Sequence, residues 1–219
     1  MTTSFSQYFD HTLLKPTATT HDILQLCQEA QTHHFFSVCV NPYWIPLCVD
    51  SLRESSVEVC TVVGFPLGAN TITTKLRETE EALTLGATEI DVVINIGALK
   101  EQQHKYVKQE LMSVVDICKN HALVKVIVES GVLNPEELSW AIDAVNESGA
   151  EFIKTSTGFA AVGARPESVA QMKNLGRPGL KIKASGGIRT AQDFLQYVEL
   201  GVHRVGASQS VSILKDLGV

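Results

Sequence analysis

The feature that most constrains this fold is a regular alternation of short β-branched runs with amphipathic segments. Eight runs dense in Val and Ile are predicted as strands, and most lack the polar alternation of a sheet with one solvated face. Such runs are typical of parallel strands buried on both faces. Their approximate bounds are Tyr8–Leu14, Phe36–Val40, Val57–Val63, Glu89–Asn95, Val124–Glu129, Glu151–Thr155, Lys181–Ala184 and Arg204–Ala207.

Helical patterns fill the intervals between these runs. The predicted helices are His21–His34, Pro42–Arg53, Thr73–Leu85, Gln102–His121, Pro135–Ser148, Arg165–Leu175, Thr190–Leu200 and Ser208–Leu217. Pro46 interrupts the second, which makes it the weakest of the set. Eight strand–helix units of about 27 residues each predict a small α/β protein, a (β/α)₈ TIM barrel, with residues 1–219 forming a single domain. A doubly wound sheet is disfavoured because no G-x-G-x-x-G follows the first strand.

Composition excludes several broad classes of function. The chain has 18 Lys and Arg against 24 Asp and Glu, so its formal net charge of -6 disfavours general nucleic-acid binding. The most apolar stretch, Val57–Ala69, is broken by polar residues, Gly and Pro, so no membrane span is expected. No secretory signal is visible, and five cysteines occur without a C-x-x-C pair. We therefore expect reduced thiols and a cytoplasmic location.

Charged residues inside the predicted strands are the first candidates for chemistry. They are Asp91 in strand four, Lys125 and Glu129 in strand five, Lys154 in strand six, and Lys181 and Lys183 in strand seven. A lone charge is costly inside a strand. Charges on several strands can satisfy one another where they meet in a barrel interior, and the carboxyl ends of barrel strands carry the active site.

Lys154 and Lys183 lie at matching ends of neighbouring strands. A desolvated lysine beside a second cation has a lowered pKa, so its free amine becomes available to form a Schiff base with a carbonyl. We expect Lys154 and Lys183 to form such a pair, with Asp91 relaying protons. The alternative is a structural ion pair in which Asp91 only balances lysine charge, and the two interpretations are compatible.

Two glycine-containing loops follow the last two strands. Gly186, Gly187 and Arg189 follow strand seven, while Gly206 and Ser208 follow strand eight. In such barrels these two loops commonly hold phosphate, because Gly lets the backbone approach an anion closely. The alternative for either loop alone is a tight turn. Two such loops at both positions favour phosphate binding, with charge-assisted contacts from Arg189.

Metal and hydrolase signatures are absent from the sequence. The seven histidines include no H-E-x-x-H, and only His11 is placed near a strand end. No G-x-S-x-G occurs, so triad hydrolysis is unsupported. We expect neither a metal nor a cofactor.

Cys39 ends strand two and is interpreted either as a small core residue or as a pocket-facing thiol open to aldehyde adducts.

Six motifs in order resemble those of the deoxyribose-phosphate aldolase family. They are DHTLLK from Asp10, VCV from Val38, VGFPLG from Val63, EIDVVIN from Glu89, FIKTSTG from Phe152 and KASGGIR from Lys183. The resemblance implies a metal-free class I aldolase that reversibly cleaves 2-deoxy-D-ribose 5-phosphate to acetaldehyde and D-glyceraldehyde 3-phosphate. It implies that Lys154 is the Schiff-base lysine, Lys183 its perturbing partner and Asp91 the acid of the relay.

Three departures from the family pattern have expected consequences. Gln209 stands where many members have a second Ser, and Phe159 stands where some have a Lys. Both positions are therefore expected to make weaker contacts with the phosphate than in those members. The printed sequence ends at Val219 without the tyrosine tail of some relatives, and proton delivery at C2 is then expected to rest on water.

Two other classes of function stay open at this point. One is a sugar-phosphate isomerase or epimerase that uses carboxylates on the same barrel, and the other is a non-catalytic sugar-phosphate sensor that retains only the glycine loops. The two strand-end lysines favour the aldolase, because neither alternative needs them. The expected partner is a small sugar phosphate, without nucleic acid or membrane, and a homodimer is possible because barrel enzymes often dimerise.

Overall fold

The chain forms a closed parallel barrel, seen in a computed structural model that describes residues 5–218. Each strand pairs with its sequence neighbours, and β8 closes the barrel against β1. The predicted (β/α)₈ barrel is therefore confirmed. The strands are β1 Phe9–Leu13, β2 Ser37–Val40, β3 Glu58–Val63, β4 Glu89–Val93, β5 Leu123–Ile127, β6 Phe152–Lys154, β7 Lys181–Ser185 and β8 Arg204–Ala207.

Nine α-helices surround the barrel in the described residues. They are α1 Thr20–Thr32, α2 Ile45–Ser51, α3 Ile72–Thr84, α4 Ile96–Lys100, α5 His104–Cys118, α6 Pro135–Ser148, α7 Pro166–Leu175, α8 Ala191–Leu200 and α9 Ser210–Asp216. The short helix α4 was not predicted. Pro46 lies in the first turn of α2, where a missing N–H costs nothing, so it starts that helix rather than interrupting it. No described helix is long and apolar enough to cross a membrane.

Side-chain caps fix where several helices begin. Thr19 and Asp22 form a capping box at α1, and Thr190 and Asp193 form another at α8. Each cap satisfies backbone N–H groups that have no partner inside the helix. The loops at the carboxyl ends of β1 and β7 therefore enter α1 and α8 at defined positions.

Alternation along each strand separates two environments. In β4, Ile90 and Val92 belong to the hydrophobic core between barrel and helices. Asp91 lies between them in sequence, so its side chain points to the opposite face, into the barrel. The same pattern places Ile182 and Ala184 in that core and leaves Lys183 inside the barrel. The predicted interior location of these charges follows from this alternation.

Two predicted interior charges lie elsewhere. Glu129 was predicted within strand five, but β5 ends at Ile127 and Glu129 adopts a left-handed backbone with φ 52° in the following loop. Lys181 begins β7 at the opposite end of the barrel, where its side chain is exposed. Its ammonium lies 5.5 Å from the centre of the Phe152 ring. The interior prediction was wrong for Lys181 because it lies two residues before Lys183, which is the register partner of the buried Arg204, and so falls outside the layer of buried charges.

Candidate active site

Asp91 stands at the centre of a buried group of ionic side chains. Its Oδ2 accepts hydrogen bonds from Lys154 Nζ and Lys183 Nζ, each at 2.7 Å. Its Oδ1 accepts from Lys125 Nζ at 2.8 Å. The two strand-end lysines share one carboxylate oxygen, so their nitrogens lie no further apart than twice that distance. The expected proximity of Lys154, Lys183 and Asp91 is what the barrel produces.

A second layer of charges supports this centre. Glu89 Oε2 accepts from Lys125 at 2.7 Å and from Arg204 Nη2 at 3.0 Å. Asp10 pairs with both Lys183 and Arg204. All of these groups are almost completely buried, and a buried charge is tolerable only when it is paired and hydrogen-bonded. The two layers therefore form one continuous network across the barrel.

The pKa directions follow from this pairing. Burial opposes ionisation of Asp91, but Lys125, Lys154 and Lys183 outweigh it and hold the pKa of Asp91 well below its usual value. Burial likewise opposes charge on Lys183, yet Asp10 and Asp91 raise its pKa above that of a free lysine. Lys183 is therefore a held cation and Asp91 a held carboxylate in the resting protein.

Formal charges in the network do not cancel. Four cations face three carboxylates, and the members are Lys125, Lys154, Lys183 and Arg204 against Asp10, Glu89 and Asp91. The network balances if one lysine gives up its proton. Lys154 contacts a single carboxylate, whereas Lys183 and Lys125 each contact more than one. Lys154 is therefore the least extensively paired of the three lysines.

Lys154 is also the network lysine that reaches open space. A cavity of about 280 Å³ lies at the carboxyl end of the barrel, and Lys154 forms part of its wall. Lys183 and Lys125 are completely buried and do not line it. Within residues 5–218, Lys154 is thus the one network lysine that a ligand in this cavity can touch.

The glycine loops form the other end of this cavity. All five residues predicted for phosphate contact lie in its wall, namely Gly186, Gly187, Arg189, Gly206 and Ser208. A third loop packs against them, because Ala164 N donates to Gly186 O at 3.0 Å. Helix α9 begins at Ser210 rather than at the predicted Ser208, so Ser208 belongs to the loop itself.

Two of the three departures from the family pattern lie at cavities, and the third, at Val219, falls outside the described residues. Phe159 lines the cavity and packs edge-on against Phe65, with ring centres 5.2 Å apart. Gln209 lines a neighbouring cavity of about 450 Å³ instead.

Cys39 is completely buried and does not line the main cavity, so the small-core interpretation describes it better.

Several residues of the site were not predicted. Lys15 lines the cavity, and its signal was the DHTLLK motif that contains it. Thr157 lines it too, and its N donates to Glu129 Oε2 at 3.2 Å. Glu129 therefore holds the loop after β6. The network of Asp10, Glu89 and Arg204 was also not predicted, and two of its members, Glu89 and Arg204, stand at the first residues of β4 and β8.

One group of possible metal ligands exists within the described residues. The ligand atoms of Cys39, Cys60 and Asp91 lie within 4.8 Å of one another. Both Asp91 oxygens already accept hydrogen bonds from lysine ammonium groups, and Lys125 Nζ lies 3.3 Å from Cys60 Sγ. Ammonium groups on every side make this a poor position for a cation.

The fold and the site together define a (β/α)₈-barrel enzyme whose buried lysine network reaches one cavity through Lys154. The sequence matches the description DeoC/LacD family aldolase over residues 5–217. It is 48% identical over 212 residues to the deoxyribose-phosphate aldolase of Bacillus subtilis, covering 97% of this chain and 95% of that one. The enzyme of the same name from Enterococcus faecalis is 46% identical over 209 residues, with 95% of each chain covered.

Solved structures agree with the sequence comparison. The deoxyribose phosphate aldolase of Aeropyrum pernix superposes with a TM-score of 0.91 at 33% identity, covering 98% of this chain and 91% of that one. The protein belongs to the DeoC/LacD family of aldolases, and it is therefore a lyase.

Proposed function

We propose that this aldolase reversibly cleaves 2-deoxy-D-ribose 5-phosphate to acetaldehyde and D-glyceraldehyde 3-phosphate through a Schiff base on Lys154. The observation that carries the proposal is the position of Lys154, which lines the cavity while its Nζ lies 2.7 Å from Asp91. The names of the similar enzymes supply the substrate. The corresponding physiological role is the catabolism of deoxyribose phosphate.

The first half of the reaction uses the amine. Neutral Lys154 attacks the C1 carbonyl of the open-chain sugar to form a carbinolamine. The carbinolamine takes up one proton from solvent as it loses water and becomes a protonated imine, and that proton is released again when the last imine is hydrolysed. The imine withdraws electrons, so the C2–C3 bond breaks as the C3 hydroxyl loses its proton. Asp91 receives that proton through a bridging water, because it is ionised and lies directly behind Lys154.

The second half returns the enzyme to its starting state. Glyceraldehyde 3-phosphate leaves, and Asp91 returns its proton through water to C2 of the enamine, which regenerates a protonated imine. Water then hydrolyses this imine, which releases acetaldehyde and restores the amine of Lys154. Lys183 stays charged throughout and keeps Asp91 oriented, since it donates to the same oxygen as Lys154. The phosphate lies against Gly186, Gly187, Gly206, Ser208 and Arg189.

Reductive trapping tests the proposal. The protein is incubated with deoxyribose 5-phosphate and borohydride, and the modified peptide is mapped by mass spectrometry. We expect one reduced adduct on Lys154, and neither adduct nor cleavage in Lys154→Ala. Lys181→Ala is the matched control, because Lys181 lies at the exposed end of the neighbouring strand and should leave adduct and turnover unchanged.

Four results contradict the proposal. An adduct on another lysine, or full cleavage activity in Lys154→Ala, refutes the assignment of the nucleophile. Interconversion of a sugar phosphate without any adduct indicates the isomerase or epimerase alternative. Binding of the sugar phosphate without turnover indicates the sensor.

A further inference from the structure

A chain of three polar side chains lies directly behind the anion end of the cavity. Glu29 on α1 contacts His11 on β1, with 2.8 Å between Oε2 and Nε2. The other ring nitrogen of His11, Nδ1, lies 3.1 Å from Ser210 Oγ at the start of α9. His11 and Ser210 are buried, and Glu29 is about one-third exposed at 31%. The reaction described above uses none of the three.

This arrangement has the order of a hydrolytic triad but not its access. Ser210 is completely buried and lies outside the cavity wall. Its Oγ is 3.1 Å from the carbonyl oxygen of Ala207. A nucleophilic serine needs space beside its oxygen for a reacting carbonyl, and Ser210 has none. The contacts of the chain are therefore with the protein itself, which indicates a role in positioning.

The elements that this chain joins are two walls of one site. Thr12 and Leu13 follow His11 on β1, and both line the cavity. Ala207 and Ser208, at the end of the adjacent strand β8, also line it and come just before Ser210. His11 is also the register partner of Ala207 across the β1–β8 pair. The chain thus ties the ends of the first and last strands together where the phosphate is expected.

The protonation states of His11 and Glu29 determine which of the two donates the hydrogen bond. Burial lowers the pKa of His11, so the ring is neutral and carries one N–H. Although burial alone raises the pKa of Glu29, hydrogen bonds from Gln25 and His11 lower it and keep it ionised. An ionised carboxylate places the single N–H of His11 on Nε2. The single hydroxyl proton of Ser210 then faces two acceptors, His11 Nδ1 and Ala207 O, each 3.1 Å from its Oγ. Ser210 is thereby held between β1 and the residue that precedes Ser208.

We propose that Glu29, His11 and Ser210 are positioning residues that hold the Gly206–Ser208 loop in the geometry that binds the phosphate of the substrate. The inference rests on the proposed function for the identity of that substrate. It predicts that the Glu29–His11–Ser210 contacts contribute to recognition of the phosphorylated end of the substrate and do not affect the chemistry at Lys154. Phosphorylated and unphosphorylated sugars should therefore respond differently when the chain is broken.

The test compares Ser210→Ala with Ser210→Thr. Steady-state cleavage is measured with 2-deoxyribose 5-phosphate and with 2-deoxyribose, and inorganic phosphate binding is measured by ³¹P NMR titration. For Ser210→Ala we expect KM for the phosphorylated sugar and Kd for phosphate to rise about three- to tenfold, the effect of one lost hydrogen bond. The kcat for both sugars and the KM for deoxyribose should stay within about twofold, a change too small to represent a lost hydrogen bond. Ser210→Thr keeps the hydroxyl and should restore wild-type values.

Ser212→Ala is the matched control. Ser212 lies on the same helix, and its Oγ donates to Gln209 O at 3.0 Å, but it makes no hydrogen bond to His11. We expect it to leave both sugars and phosphate unaffected. Parallel losses for the two sugars in Ser210→Ala, or no change in phosphate Kd, overturn the inference. If the wild type cleaves neither sugar, the proposed function fails, while the phosphate titration still decides whether the chain positions the loop.

Discussion

Replacing Lys183 and Lys154 in turn by Met should separate the held cation from the reactive amine. Lys183 is completely buried and pairs with two carboxylates, Asp10 and Asp91. Breaking a buried ion pair by removing one partner costs about 3–5 kcal/mol, because the remaining charge loses its compensation. We therefore expect Lys183→Met to lower the free energy of unfolding by about that amount.

Lys154→Met should behave differently. Lys154 lines the cavity and contacts only Asp91, whose Oδ2 keeps its hydrogen bond from Lys183. Water in the cavity can replace the lost donor. The expected change in the free energy of unfolding is within about 1 kcal/mol, the typical net value of one hydrogen bond. Both variants should lose aldol cleavage.

Urea denaturation followed by circular dichroism measures the two stabilities, and thermal melts provide a second readout. A loss of about 3–5 kcal/mol corresponds to a fall in Tm of roughly 10 °C for a chain of this size. Equal destabilisation by the two substitutions refutes the reasoning, as does a Lys154→Met variant that is the less stable of the pair.

Two further predictions concern the loop and the network. In Gly163→Ala the added Cβ lies 2.1 Å from Gly186 O, so the glycine loop must move and KM for the phosphorylated sugar should rise at least tenfold. Gly97→Ala is the control, because its added Cβ makes only an ordinary contact at 3.5 Å and should leave the kinetics unchanged. Because Asp10 and Asp91 have pKa values depressed in the folded state, the stability they contribute is complete above their unfolded pKa of about 3.9 and is lost as pH falls through the folded values. Thermal melts should accordingly show this contribution constant between pH 7 and 5 and falling below about pH 4, and a loss from these groups already complete at pH 5 would contradict the pairing.

Much of the site could be predicted because the barrel imposes its own geometry. Parallel strands in order bring the ends of β6 and β7 together, so Lys154 and Lys183 had to be neighbours once the fold was known. Asp91 followed from alternation along β4. The glycine loops followed from their position after the last two strands.

Other parts of the site depend on contacts that no local pattern specifies. Strand β5 ends two residues before Glu129, and only the structure shows that the Glu129 carboxylate accepts a hydrogen bond from Thr157 N. The pairing of Asp10 with Arg204 joins residues from opposite ends of the chain, and no local sequence pattern links them. His11 was singled out by position, but its partners on α1 and α9 come from packing.

The contact between Asp10 and Arg204 has a consequence for how the protein is made. These residues belong to the first and last strands, and the sequence between them contains every other strand of the barrel. During synthesis Asp10 leaves the ribosome early, but it cannot pair with Arg204 until nearly the whole chain has been synthesised. An incomplete chain therefore lacks the completed set of ion pairs that holds Asp91 and its lysines in place. The nascent protein should thus acquire its chemistry only at the end of synthesis, when the last strand closes on the first.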